Sequence, residues 1–194
     1  MYIFIAGCAR SGTSLIRGLM ECFKSVHTHG GYASDEEEHA TAFEEIAGWR
    51  RFARWRWHLV IKRKNTSHLT LPDLRPDVEL LYCVRHPLDV LTSTHPRTKH
   101  TRSFHVTPER WRSEYDAWRR FREKQPQRSV FVLRYETLIR DPDGVQPQIA
   151  QHFGLVPRVS FTNNPSGVQV RSESLMRWQR DSSCRRTRRI CRVC

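Results

Sequence analysis

Residues 7–14, Gly-Cys-Ala-Arg-Ser-Gly-Thr-Ser, put two glycines, three hydroxyls and a guanidinium within eight positions. That mixture suits an anion. Glycines let the backbone turn tightly, so that successive N–H groups and a helix N-terminus converge where a phosphate or sulfonate can sit. The spacing nearly matches the nucleotide-binding loop G-x-x-x-x-G-K-[ST]. Gly7, Gly12 and Ser14 fit, but Thr13 stands where the lysine should be. That lysine serves the β- and γ-phosphates, so its absence argues against ATP chemistry. A cation is still present inside the loop at Arg10, and a guanidinium can clamp a phosphate or sulfonate with two donors.

Elements that could hold this loop are legible around it. Residues 2–6 form a continuous apolar run rich in β-formers, the pattern of a strand covered on both faces. Thr13 and Ser14 open a helical pattern through Leu15, Ile16, Leu19, Met20 and Phe23. Residues 27–38, with Gly30 and Gly31, read as a loop whose last part, from Ser34, caps a helix running to about Trp49. Residues 50–56 mix Arg with Phe and Trp, as an amphipathic helix would. Strands follow at 57–62, 78–84 and 129–133. Pro87 starts a helix, Thr107-Pro108-Glu109 caps a long one, and residues 135–139 form a short one ended by Asp141-Pro142. A last helix spans 146–153 and closes on Gly154. Alternating strands and helices imply an α/β fold: three layers, α/β/α, around a mostly parallel sheet of the P-loop-like nucleotide-binding kind. In such sheets ligands lie beyond the C-terminal strand ends. Arg10, Lys62, Arg85 and Tyr135 each follow a strand, so four strand ends deliver cations or a planar ring to one edge.

Composition sets the partners. Lys and Arg number 33 against 20 Asp and Glu, a net charge of +13. Such a balance implies an anionic partner. Only five of the 33 cations are lysine, and eight arginines fall in residues 171–194. Mean hydropathy is −0.64, and no apolar run approaches the ~20 residues that span a bilayer. The N-terminal apolar run is too short for a signal peptide, so a cytoplasmic protein is expected. Cys8, Cys22 and Cys83 fall in the apolar framework. Cys191 and Cys194 form a C-x-x-C without a second pair or a nearby His, so no zinc site or disulfide framework is expected. The expected organisation is one domain over residues 1–180. Residues 181–194 would be a basic Cys-containing tail, either disordered or the end of a truncated or frameshifted chain.

Three blocks, in order, resemble the sulfotransferases that use 3′-phosphoadenosine-5′-phosphosulfate (PAPS), especially their bacterial and Golgi-type branches. Ile5-Ala6-Gly7-Cys8-Ala9-Arg10-Ser11-Gly12-Thr13-Ser14-Leu15 is similar to the family's 5′-phosphosulfate loop. Residues 81–93, with Arg85 and a serine eight positions later at Ser93, are similar to its 3′-phosphate block. Residues 132–142, with Arg134-Tyr135-Glu136-Thr137-Leu138 and Asp141-Pro142, are similar to its "RYEDL…DP" segment. The resemblance covers about residues 2–180. It implies that Arg10, Ser11, Gly12, Thr13 and Ser14 hold the 5′-phosphosulfate, and that Arg85 and Ser93 hold the 3′-phosphate. It also implies that Tyr135 contacts the adenine and that Arg171 and Ser172, near Trp178, close over the base. The last match is loose, because the family's glycine-containing form is absent.

The implied reaction is sulfuryl transfer from PAPS to a hydroxyl or amine, leaving 3′-phosphoadenosine-5′-phosphate (PAP), with no metal. Arg10 and Lys62 would neutralise charge on the transferring and leaving oxygens. The cytosolic branch places a His base two residues after the strand-end Lys; here that position is Lys64, with His68 close by. Golgi-type relatives use a Glu after the first helix, which points to Glu38 and then Glu37. A carbohydrate acceptor is favoured by the basic residues 95–102. No specific nucleic acid is expected as a partner, and oligomeric state is not legible. Two other readings fit part of the pattern. One is a family member that binds PAP or PAPS but has lost activity, given the short chain and its Arg/Cys end. The other is a basic nucleic-acid-binding protein, given the charge and the Arg/Trp interleaving at 49–57.

Overall fold

The computed structural model describes residues 1–29, 58–62, 76–95, 104–168, 170, 175–176 and 179. Their strands form one five-stranded sheet in the order β2-β3-β1-β4-β5. The strands are β1 (Tyr2–Gly7), β2 (Val26–His29), β3 (His58–Lys62), β4 (Val78–Val84) and β5 (Val130–Arg134). Every neighbouring pair is parallel. The helices are α1 (Thr13–Leu19), α2 (Pro87–Leu91), α3 (Pro108–Lys124), α4 (Tyr135–Arg140) and α5 (Pro142–Phe153), and a 3-10 turn, Met20–Cys22, extends α1.

β1 lies at the centre because its sequence demands cover on both sides. Ile3, Phe4, Ile5 and Ala6 are all within 1% of complete burial. Alternate side chains serve opposite faces. Ile3 and Ile5 join Ile16 and Leu19 of α1, Leu138 of α4, and Ile149 and Phe153 of α5. Phe4 and Ala6 join Leu80 and Tyr82 of β4 and Phe121 of α3. Helices thus cover both faces, and the expected three-layer α/β/α arrangement with a parallel sheet holds. Each fully buried aliphatic or Phe side chain is worth roughly 1.5–3 kcal/mol, so β1 anchors the two half-cores together.

The caps follow the sequence signals. Pro108 opens α3, and Thr107 Oγ1 accepts a hydrogen bond from the Arg110 amide. Gly154 ends α5 in the left-handed conformation at φ 61°.

Two local expectations are corrected. Residues 26–29 form an edge strand paired with β3 where a loop was expected from residue 27. Val-His-Thr-His has no apolar run to announce it, so tertiary pairing decides. The final helix begins at Pro142, four residues earlier than its apolar pattern indicates. Asp141 ends α4 and also caps α5, with its Oδ1 accepting from the Gly144 amide at 2.9 Å. The expected helix at 34–49, the amphipathic piece at 50–56 and the basic tail at 181–194 lie outside the described residues.

Candidate functional site

Register brings the strand ends to one edge. Ile5 pairs with Lys62, Gly7 with Cys83, and Val84 with Arg134. The chain leaves β1 toward β2 on one side and leaves β4 toward β5 on the other. The crevice between β1 and β4 is therefore the topological switch point, where α/β sheets bind ligands.

The loop after β1 is shaped by close packing. Gly7 has φ 144°, and a Cβ there would come within 2.5 Å of the Cys83 carbonyl oxygen. Gly12 has φ 97°, and a Cβ there would fall 2.4 Å from Tyr135 Cδ2. Between them the backbone folds back: the Ser11 amide and hydroxyl both donate to the Cys8 carbonyl, at 3.0 and 2.6 Å. Arg10 takes the left-handed conformation at φ 72°. Gly12 offers no side chain to cap α1, and the helix has no acid in its first turn. Its first amides therefore face the crevice without a competing carboxylate of their own helix.

Side chains from four strand ends interlock over this loop. Arg10 Nε donates to Ser93 Oγ at 2.7 Å. Arg85 donates from one terminal nitrogen to the Arg10 carbonyl at 2.9 Å. Its guanidinium carbon lies 4.3 Å from the centre of the Tyr135 ring. Lys62 Nζ donates to Ser14 Oγ at 2.6 Å. The His86 amide donates to Glu136 Oε1 at 2.8 Å, tying the end of β4 to α4. Ser11, Thr13 and Ser93 are buried, Tyr135 is 9% exposed, and Ser14 is exposed. The structure thus gathers Arg10, Ser11, Gly12, Thr13, Ser14, Lys62, Arg85, Ser93 and Tyr135. Glu37, Glu38, Arg171 and Ser172 lie outside the described residues.

The arrangement presents donors of the kind that suit an anion, and its two cysteines are not activated. Burial, reinforced by the negative charge of Glu114, pushes the Cys8 thiol up to about 12. Burial also raises Cys83. Neither is a thiolate near neutral pH, so covalent catalysis through them is disfavoured. Among the described residues no His/Cys/Asp/Glu group could hold a metal ion. The donor set (three cations, hydroxyls and the amides opening α1, with an aromatic ring alongside) fits a nucleotide carrying more than one anionic group.

Three features were not legible in the sequence. Glu136 was seen only as part of a motif, yet it fastens the loop after β4. The Arg10–Ser93 bond spans 83 positions, and no local pattern signals it. A cavity of about 230 Å³ opens beside the loop, lined in part by Cys8, Ser11, Arg85, Trp111, Glu114 and Trp118. No local pattern announces the meeting of Trp118 with Tyr82, which stacks on it at 3.9 Å.

Fold and site together define an α/β protein with cations and hydroxyls gathered at the crevice of its switch point. Residues 27–157 match the sequence profile of the sulfotransferase family. This is well over half of the chain, which therefore belongs to that family of transferase enzymes; the loop at 7–14 precedes the matched stretch. No curated protein matches the chain in sequence. Among solved structures, the sulfotransferase domain of the Synechococcus PCC 7002 olefin synthase superposes with a TM-score of 0.64 at 16% identity. It covers 93% of this chain and 82% of that one. The sulfotransferase domain from the curacin biosynthetic pathway gives 0.56 at 15% identity, over 91% and 89%. A mouse sulfotransferase solved with PAP gives 0.50 at 15% identity, over 79% and 58%. At these identities the likeness shows a shared fold. No helix among the described residues is long and apolar enough to cross a membrane.

Proposed function

We propose that the protein transfers a sulfuryl group from PAPS to a hydroxyl or amine of an acceptor, a carbohydrate foremost. The observation that carries this reading is the interlock of two anion-binding segments. The loop after β1 and the segment after β4 meet through Arg10–Ser93 and Arg85–Arg10. One ligand with an anion at each end would engage both. The mouse relative solved with PAP supports the choice of nucleotide.

When bound, PAPS supplies a sulfuryl group already activated by its phosphate anhydride. The protein's part is then positioning and charge stabilisation, as in phosphoryl transfer. The amides opening α1, with Ser11, Thr13 and Ser14, hold the 5′ anion. Arg10 and Lys62 meet charge developing on the transferring and leaving oxygens, and Lys62 is oriented by its bond to Ser14. Arg85 and Ser93 take the 3′-phosphate, Tyr135 packs against the base, and Arg171 and Ser172 complete the cover. As the acceptor oxygen or nitrogen bonds to sulfur and the anhydride bond breaks, the acceptor proton must leave. Glu38, then Glu37, is the proposed base, and either needs its pKa raised by burial or a neighbouring acid.

Calorimetry with PAP tests the nucleotide reading. Tight binding is expected, weakened at least tenfold in Arg85→Ala, since a bond to a charged group is worth about 1.5–3 kcal/mol. Absence of binding refutes it. Transfer of radiolabelled sulfate from PAPS onto oligosaccharides, phenols and lipids then identifies the acceptor class. Near-normal turnover in both Glu37→Gln and Glu38→Gln removes those residues from the mechanism.

A further inference from the structure

Two contacts fasten the chain beyond α5 to the helices that flank the crevice. The first is on α1. A Cβ added to Gly18 would lie 2.6 Å from Val168 Cγ2, so Val168 sits against the helix backbone. Asn164 shapes this turn, its side-chain amide donating to the carbonyls of Phe161 and Val168 at 3.1 and 2.9 Å. The second contact is on α2. The backbone N–H of Met176 donates to Asp89 Oδ2 at 3.1 Å. Asp89 is only 2% exposed and stands four positions before Ser93. Residue 168 thus lies against α1, and residue 176 is bonded to α2. These are the helices that follow β1 and β4, the two strands of the switch point.

Met176 is also one of three non-glycine residues with positive φ among those described, at 51°. A residue with a side chain adopts that conformation at a cost. Its own side chain does not explain it, being 47% exposed. The bond from its amide to a buried carboxylate does, because charge-assisted bonds are the stronger class.

We propose that Asp89 is a positioning residue for the nucleotide site. It touches no reacting atom. It holds the C-terminal chain on α2 through Met176, and it fixes the helix whose end presents Ser93 to Arg10. This inference rests on the nucleotide reading above, and it adds a residue outside the loop cations to what sets nucleotide affinity.

The test uses the full chain, PAP calorimetry well below the melting temperature, and steady-state kinetics. Asp89→Ala is expected to weaken PAP binding about tenfold, the scale of one bond to a charged group, while kcat at saturating donor changes less than about threefold, because no reacting contact is lost. Asp89→Asn keeps an acceptor without the charge and should fall between wild type and Asp89→Ala. Met176→Gly keeps the N–H and relaxes the backbone, so it should retain wild-type affinity with an equal or higher melting temperature. A merely structural Asp89 would lower the melting temperature and leave the affinity of the folded protein unchanged. That result in Asp89→Ala, or in Asp89→Asn should the alanine variant not fold, overturns the inference and leaves the nucleotide reading standing. Failure of the wild-type chain to bind PAP overturns both.

Discussion

At the residue scale the site depends on one glycine as much as on its cations. Gly12 combines φ 97° with a space that Tyr135 occupies, since a Cβ would fall 2.4 Å from the ring. Gly12→Ala should therefore cost roughly 2–4 kcal/mol, from left-handed strain and from forced overlap. Urea denaturation measures it. Removing the ring in Gly12→Ala/Tyr135→Ala should recover the overlap part but not the strain, giving a non-additive pair. Additive losses would mean that the two residues do not meet as described. Arg85 makes the complementary case. Its guanidinium reaches the Arg10 carbonyl with one nitrogen and sets its central carbon over the Tyr135 ring. An ammonium cannot do both. Arg85→Lys should lose most of the PAP affinity that Arg85→Ala loses, despite the retained charge. Near-wild-type binding by Arg85→Lys would reduce Arg85 to a point charge.

At the scale of elements, Asp141 serves two helices with one residue. It follows the last residue of α4 and caps α5 through the Gly144 amide. Its loss in Asp141→Ala should cost about 1 kcal/mol, the usual worth of an N-cap, seen as a lower urea midpoint with an unchanged slope. Asp141 also shows why element boundaries were only partly legible. Asp-Pro both stops one helix and starts the next, and the sequence pattern offered only the stop. β2 was missed for a related reason. His27 and Thr28 carry no periodicity, and the strand exists because β3 offers it a pairing edge. β1, β4 and β5 were legible because their apolar runs answer to burial, which leaves a composition signal. The residues gathered at the crevice were legible for a different reason. Glycine spacing and strand-end cations are local, so the loop at 7–14 and the positions of Lys62 and Arg85 could be read directly. The bonds Arg10–Ser93 and Met176–Asp89 join residues 83 and 87 positions apart. Only the assembled sheet brings such partners together.

At the scale of the whole molecule, pH should act on stability from both sides, and the alkaline side separates two causes. Burial raises the thiols of Cys8 to about 12 and Cys22 to about 11, and it raises Cys83 as well. In the unfolded chain these groups ionise near their ordinary value of 9.0. Their contribution is therefore full below pH 9 and is lost progressively as pH climbs from 9 toward 12. For Cys8 alone the loss by pH 11 is roughly 2–3 kcal/mol, at 1.36 kcal/mol per unit. Net charge pulls the other way. The net charge of +13 falls as pH rises, and the relief of self-repulsion would stabilise the fold over the same interval. On the acid side, burial lowers His58. Its contribution is present above about pH 6.5 and fades as pH falls, because the unfolded imidazole takes up a proton first. Melting temperature measured from pH 5 to 11 should thus form a dome, falling beyond pH 9. A continued rise above pH 9 would mean that relief of charge repulsion outweighs thiol burial. Cys8→Ala and Cys83→Ala each remove a buried thiol and lower stability at every pH by a cavity term. They should also flatten the alkaline limb, a change of slope that a cavity alone does not produce.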